Sequence, residues 1–144
     1  MSTIAYRDGI MAADTRAYGG RGEPTPGRKV KVHRLDDGSV VGLSTATIGL
    51  SERFVAWLRD GADPSKMTDK IDIRVIMVKP DGKLYVADDS PYFAGPIDTE
   101  FYAIGSGTCY AMGAMSMGAT AEEAVRVACE HDPHTAAPIM VERL

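Results

Sequence analysis

The chain has 144 residues, 44% hydrophobic and 25% charged, with a net charge of -4. That length predicts one domain over 1–144, able to bury roughly two thirds of its unfolded surface. The acidic balance and scattered Lys and Arg argue against general attraction to nucleic acid or an anionic membrane, and no apolar run nears the ~20 residues of a bilayer span.

Residues 2–6 and 10–13 read as short strands, and Arg7-Asp8-Gly9 between them as a hairpin turn whose Asp-Gly pair supplies positive φ. The Gly- and Pro-rich stretch 18–27 reads as a loop. Residues 28–35 alternate basic with apolar and 39–44 are apolar, giving a second hairpin across Asp36-Asp37-Gly38. Leu50, Phe54, Trp57 and Leu58 recur at helical spacing, with Gly61 as a stop.

A third hairpin spans 71–79 and 83–87, and a further strand covers 100–104. Helices follow near 107–117 and 121–131, the second opened by the capping-box pair Thr120 and Glu123. Residues 137–143 form a last strand. Antiparallel strand runs punctuated by helices predict an α+β protein, with two antiparallel sheets face to face and helices on the outer faces. Cys109 and Cys129 lie in apolar, helical stretches, so buried reduced thiols are expected. His131, Asp132 and His134 are interrupted by a Pro and lack a second ligand cluster, so neither a metal site nor another cofactor is implied. The start of the sequence lacks a basic segment followed by an apolar core, which leads us to expect a cytoplasmic protein with Ser2 next to the mature terminus.

Ser2 raises a chemical question. A serine hydroxyl is a poor nucleophile until a base takes its proton, and a free α-amine, titrating near ~7.7–8, can be that base at neutral pH. Such a site needs a small hydroxyl or thiol residue at the mature terminus, a lysine that tunes the amine, a carboxylate that orients the lysine, and amide donors for the oxyanion.

Ser2-Thr3-Ile4-Ala5, the Arg7-Asp8-Gly9 turn and Ala12-Ala13-Asp14-Thr15-Arg16 together resemble the opening of proteasome β-subunits and HslV-type peptidases. The hairpin is trimmed on both sides, which is expected to keep Ser2 opposite Asp14. Lys31-Val32-His33-Arg34-Leu35 is similar to the family's lysine-bearing strand. Lys31 is preferred over Lys29, its rival on the same strand face. Ile104-Gly105-Ser106-Gly107 resembles the block whose serine sits beside the nucleophile, and Asp132 with Thr135 resembles the Asp-x-x-Ser pair that supports the amine. Residues 42–46 are similar to the oxyanion segment, although Ser44-Thr45-Ala46-Thr47 stands where paired glycines are usual.

The resemblance implies the four-layer αββα fold of N-terminal-nucleophile hydrolases and a peptidase acting on peptides or unfolded proteins. It implies Ser2 as nucleophile after loss of Met1, Lys31 and Asp14 tuning the amine, and Ser106, Asp132 and Thr135 positioning it. Ala46 would supply the oxyanion amide, with Arg16 and Gly107 on the substrate side. It further implies a homo-oligomeric ring and an ATP-dependent unfoldase partner, and the compact length suggests a minimal, phage-like member. Two other roles use the same fold: an amide hydrolase acting on a small molecule, and a non-catalytic ring or scaffold subunit.

Overall fold

The first turn sets the register of the strands around it. Asp8 and Gly9 take φ of 51° and 76°, the backbone that lets a two-residue hairpin follow the twist of its strands. In the computed structural model, which describes residues 1–144, β1 (Thr3–Arg7) and β2 (Ile10–Asp14) flank this turn with Arg7 against Ile10 and Ile4 against Ala13. Arg7 therefore belongs to the strand, and Thr3, not Ser2, comes level with Asp14. The expected pairing is off by one residue because the turn consumes two residues and not three.

Two sheets follow from this start. One has the order β10 (Phe101–Gly105), β1, β2, β11 (Ile139–Arg143). The other runs β5 (Val32–Arg34), β6 (Val40–Ser44), β7 (Arg74–Val78), β8 (Leu84–Asp88), β9 (Ala94–Ile97), and every pairing in both is antiparallel. Strand alternation then sorts side chains into layers. Ile4, Tyr6, Met11 and Ala13 meet Val40, Ile76, Val78 and Leu84 between the sheets. Gly42 lies where the sheets come closest, since a Cβ there would stand 2.6 Å from Ile4 and 2.8 Å from Met11.

The opposite faces carry the helices. Ala5, Ala12 and Ala103 lie under α2 (Thr108–Ser116) and α3 (Ala121–His131), whose Ala111, Ala124 and Val125 are fully buried. Val41, Leu43, Val75 and Met77 pack against Phe54 and Trp57 of α1 (Leu50–Arg59). The result is the αββα sandwich expected from the sequence. No helix is long and apolar enough to cross a membrane.

Three expectations change. The stretch 18–27 is not all loop: β3 (Arg16–Tyr18) and β4 (Pro24–Arg28) form a separate ribbon. Pro24 and Pro26, like Pro96 in β9, sit on strands with a single partner, where the missing amide costs no ladder bond. The strand expected over 28–35 shrinks to β5, because Lys29 instead donates its amide to the Thr15 carbonyl at 2.9 Å and the chain turns Lys31 inward. Cys109 is exposed and Cys129 half-buried, so neither is the buried thiol expected. The capping box is present as read, with Thr120 and Glu123 each bonding the other's backbone amide, at 3.2 and 2.8 Å.

Candidate active site

Alternation along β1 sends its first side chains in opposite directions. Ser2, on the Ile4 side, donates its hydroxyl to Ser44 Oγ at 2.7 Å, at the end of β6. Thr3 points under the helices, where its hydroxyl meets Thr135 Oγ1 at 2.7 Å. Both are almost wholly buried, but only Ser2 lines an open cleft.

The backbone at this point depends on two glycines. A Cβ on Gly105, whose φ is +101°, would lie 2.0 Å from the Ser2 carbonyl oxygen. One on Gly107 would lie 2.0 Å from Thr3 Oγ1 and 2.9 Å from Ala128 of α3. The Gly-Ser-Gly segment is therefore a platform for the start of β1 and not a generic turn. Between the glycines, Ser106 Oγ accepts the Ser2 amide at 3.2 Å and donates to Asp132 Oδ2 at 2.6 Å. Thr135 donates to that same oxygen at 2.5 Å, and the His134 amide reaches Oδ1 at 3.1 Å. Burial pushes the Asp132 carboxyl up, but the Ser106, Thr135 and His134 hydrogen bonds outweigh it and hold the group below its ordinary value. An ionised acceptor thus anchors a chain of donors that ends at the Ser2 nitrogen.

On the other side of β1, Lys31 Nζ lies 2.9 and 3.0 Å from the two oxygens of Asp14. The side chains are 5% and 0% exposed. Asp14 also accepts the amides of Thr3, Arg16 and Ala136 at 2.9, 3.2 and 3.3 Å, so its position is fixed from several directions. Burial lowers the Lys31 pKa, opposed by the Asp14 charge, and the net direction is down. Lys29 instead reaches the exposed Glu52 at 3.4 Å. Of the two lysines, Lys31 is the one in the buried pair.

Ser2, Lys31, Arg16, Thr45 and Ala46 share one cleft, together with Met1. The Thr47 amide is taken by Thr45 Oγ1 at 3.0 Å, while the amides of Thr45 and Ala46 donate to nothing else in the chain. Two free N–H groups therefore stand in the segment expected to bind an oxyanion. Gly107 does not line the cleft; its amide faces the Ser2 carbonyl at 3.5 Å. The Met1 amine lies below its ordinary pKa, first through burial and then through the Lys31 charge.

Ser44 is the site residue that the sequence reading left without a role. A signal for it existed. In Val40-Val41-Gly42-Leu43-Ser44 the period of two puts Ser44 on the same inter-sheet face as Val40 and Gly42, the face that β1 presents with Ile4.

No family model matches the chain, and no curated protein is significantly similar to it in sequence. Solved structures are similar in fold. BPH of Thiobacillus denitrificans in complex with epoxomicin is 21% identical, with a TM-score of 0.68 covering 99% of this chain and 97% of that one. A second structure of the same BPH is 20% identical with a TM-score of 0.64, covering 99% and 96%. Eukaryotic HslV from Trypanosoma brucei is 19% identical with a TM-score of 0.69, covering 98% and 97%. Over almost its whole length, this chain has the fold of the BPH and HslV proteins.

Proposed function

We propose that the chain is a proteasome-like peptidase in which Ser2, freed by removal of Met1, is the nucleophile and its own α-amine the general base. One observation carries this reading. Ser2 lines one cleft with Lys31, Thr45 and Ala46, the last two with unengaged amides, while the Ser2 nitrogen is tethered through Ser106 to Asp132.

In the proposed reaction, Ser2 Oγ attacks a peptide carbonyl and its proton passes, through a water, to the Ser2 amine. Lys31, oriented by Asp14, keeps a positive charge nearby and lowers the amine's pKa, so that more of it is unprotonated at neutral pH. Ser106, Asp132 and Thr135 hold the amine in place. The carbonyl oxygen becomes an oxyanion on the Ala46 amide, with the Thr45 amide beside it. The protonated amine then passes its proton to the leaving nitrogen as the C–N bond breaks. Water attacks the resulting Ser2 ester by the same route and releases the acid. A homo-oligomeric ring acting on unfolded protein, served by an ATP-dependent unfoldase, is the assembly this reading entails.

Intact-mass spectrometry of the purified protein, before and after a peptide epoxyketone or β-lactone, tests the reading. The expected result is a mass lacking Met1 and a single adduct that maps to Ser2. An adduct on Thr3, or no adduct on a chain that has lost Met1, would overturn it.

A further inference from the structure

Two clefts meet at Met1, Thr45 and Ala46, beside Ser2, and their charges are opposite. The first is lined by Arg16, Lys29 and Lys31, and no Asp or Glu lines it. The second, on the Ser106 side, is lined by Asp72 and Asp89; its one cation, Arg74, is paired with Asp88 at 3.1 Å.

The three cations of the first cleft are not equally occupied. Lys31 is already paired with Asp14. Arg16 makes no ion pair: its guanidinium reaches the Pro133 carbonyl, at 3.4 Å, and lies beside the Tyr18 hydroxyl, while its amide is fixed on Asp14. Lys29 is held only by Glu52, whose side chain is 62% exposed, and a solvated pair of that kind is weak enough for a better-placed carboxylate to replace it. Positive charge is thus available beside the nucleophile, next to the aliphatic walls of Leu43 and Ile48.

The chemistry of the reaction assigns each cleft to one half of a substrate. In the peptidase reading, on which this inference rests, the Ser2 amine delivers the proton to the leaving nitrogen, and that amine is anchored on Ser106. The leaving half must therefore lie on the Ser106 side, among Asp72 and Asp89. The acyl half, ending at the residue before the cleaved bond, must lie in the cleft of Arg16 and Lys29. We infer that the enzyme cleaves after acidic residues, with Arg16 and Lys29 receiving the carboxylate. The carboxylates of the opposite cleft repel the same side chain and so set the direction in which a peptide lies.

The test uses processed protein and three peptidyl-aminomethylcoumarins that differ only in the last residue: Asp, Leu or Arg. The Asp substrate is expected to show kcat/KM about tenfold or more above the other two, a ratio that narrows as salt screens the cleft. Lys29→Glu should lower the Asp rate about tenfold and raise the Arg rate, and Arg16→Gln should lower the Asp rate alone. Equal cleavage of the three by the parent, or an unchanged ranking in Lys29→Glu, would overturn the inference. Labelling by a β-lactone in the same preparation separates the two levels. Labelled enzyme without an acidic preference sinks only the specificity. Enzyme that neither labels nor cleaves sinks the peptidase reading beneath it.

Discussion

The two helical layers of this sandwich are built from different side chains. Under α1 the sheet meets Phe54 and Trp57 through Leu43, Val75 and Met77, a core of large groups whose burial is strongly stabilising. Under α2 and α3 it meets alanines: Ala5, Ala12 and Ala103 below, Ala111, Ala121, Ala124 and Ala128 above. Small residues bury little area, but they let helix and sheet backbones approach closely. That approach brings Gly105, Ser106 and Gly107 against β1, and it sets Asp132 and Thr135, at and beyond the end of α3, next to Ser2 and Thr3. One layer stabilises and the other positions. Each substitution below is chosen to break that division or to sharpen it.

The largest effect belongs to the seam between the layers, at the buried pair. Lys31→Met leaves Asp14 buried without its counter-charge, which should cost about 3–5 kcal/mol of stability. In the proposed mechanism it also removes the charge that tunes the amine, so kcat/KM should fall by about 10²–10⁴-fold. Adding Asp14→Asn should restore much of the melting temperature and none of the activity. Recovery of both together would mean that the pair acts only through folding.

Phe54→Ala tests the stabilising layer. Its side chain is fully buried, and its loss should cost about 3–5 kcal/mol by thermal or urea unfolding. The folded fraction should keep its kcat within about threefold, since nothing in α1 bonds to the positioning network. Ala128→Leu tests the opposite layer. Overpacking there should cost only about 1–3 kcal/mol. Because Ala128 already limits the space at Gly107, the platform under β1 must shift, and a displacement of that order costs about 10²-fold in rate. If the two variants lose activity in proportion to stability, the division between the layers fails.

The same contrast explains what could be read from the sequence. The α1 layer announces itself through Leu50, Phe54, Trp57 and Leu58 at helical spacing, and the hairpins through their Asp-Gly turns. The site residues from 2 to 135 were legible as an ordered set of short blocks, and the fold brings Ser2, Ser106, Asp132 and Thr135 into one network while Lys31 and Asp14 pair beside it. What stayed hidden depends on quantities a sequence does not carry. Whether the turn takes two residues or three decides if Ser2 or Thr3 meets Asp14, and that rests on the φ of Asp8 and Gly9. The ribbon strand β4 and the edge strand β9 were masked by their prolines, whose penalty depends on which side of the strand is paired. Ser44 was visible only to an argument that already knew which face of β6 meets β1.

A pH profile sharpens the positioning side further. Burial and the Lys31 charge lower the Met1 amine, and the same two causes act on the Ser2 amine once it is free. A base of lowered pKa is already unprotonated at a lower pH, so kcat/KM should rise through an acidic limb centred below about 7.7, the ordinary α-amine value. An upward shift of that limb is the expected result of Lys31→Met, read on whatever activity survives, with burial still holding it below the ordinary range. A parent limb at or above pH 8 would contradict the tuning role of Lys31.

The smallest expected effect tests how completely the site fixes its own nucleophile. Threonine has a stiffer χ1 than serine, so Ser2→Thr should be at least as active as the parent. Three staggered wells cap the gain from pre-aiming at about threefold. Here the gain should be smaller, because Ser44 Oγ already accepts the Ser2 hydroxyl at 2.7 Å and holds it in one rotamer. Removing that restraint with Ser44→Ala should slow the serine enzyme and barely change the threonine one, so the advantage of threonine should widen in the double variant. Equal ratios in both backgrounds would show that Ser44 packs against Ser2 without aiming it. A Ser2→Thr enzyme below a tenth of the parent rate would mean that the inter-sheet space beside Ile4 has no room for a methyl group.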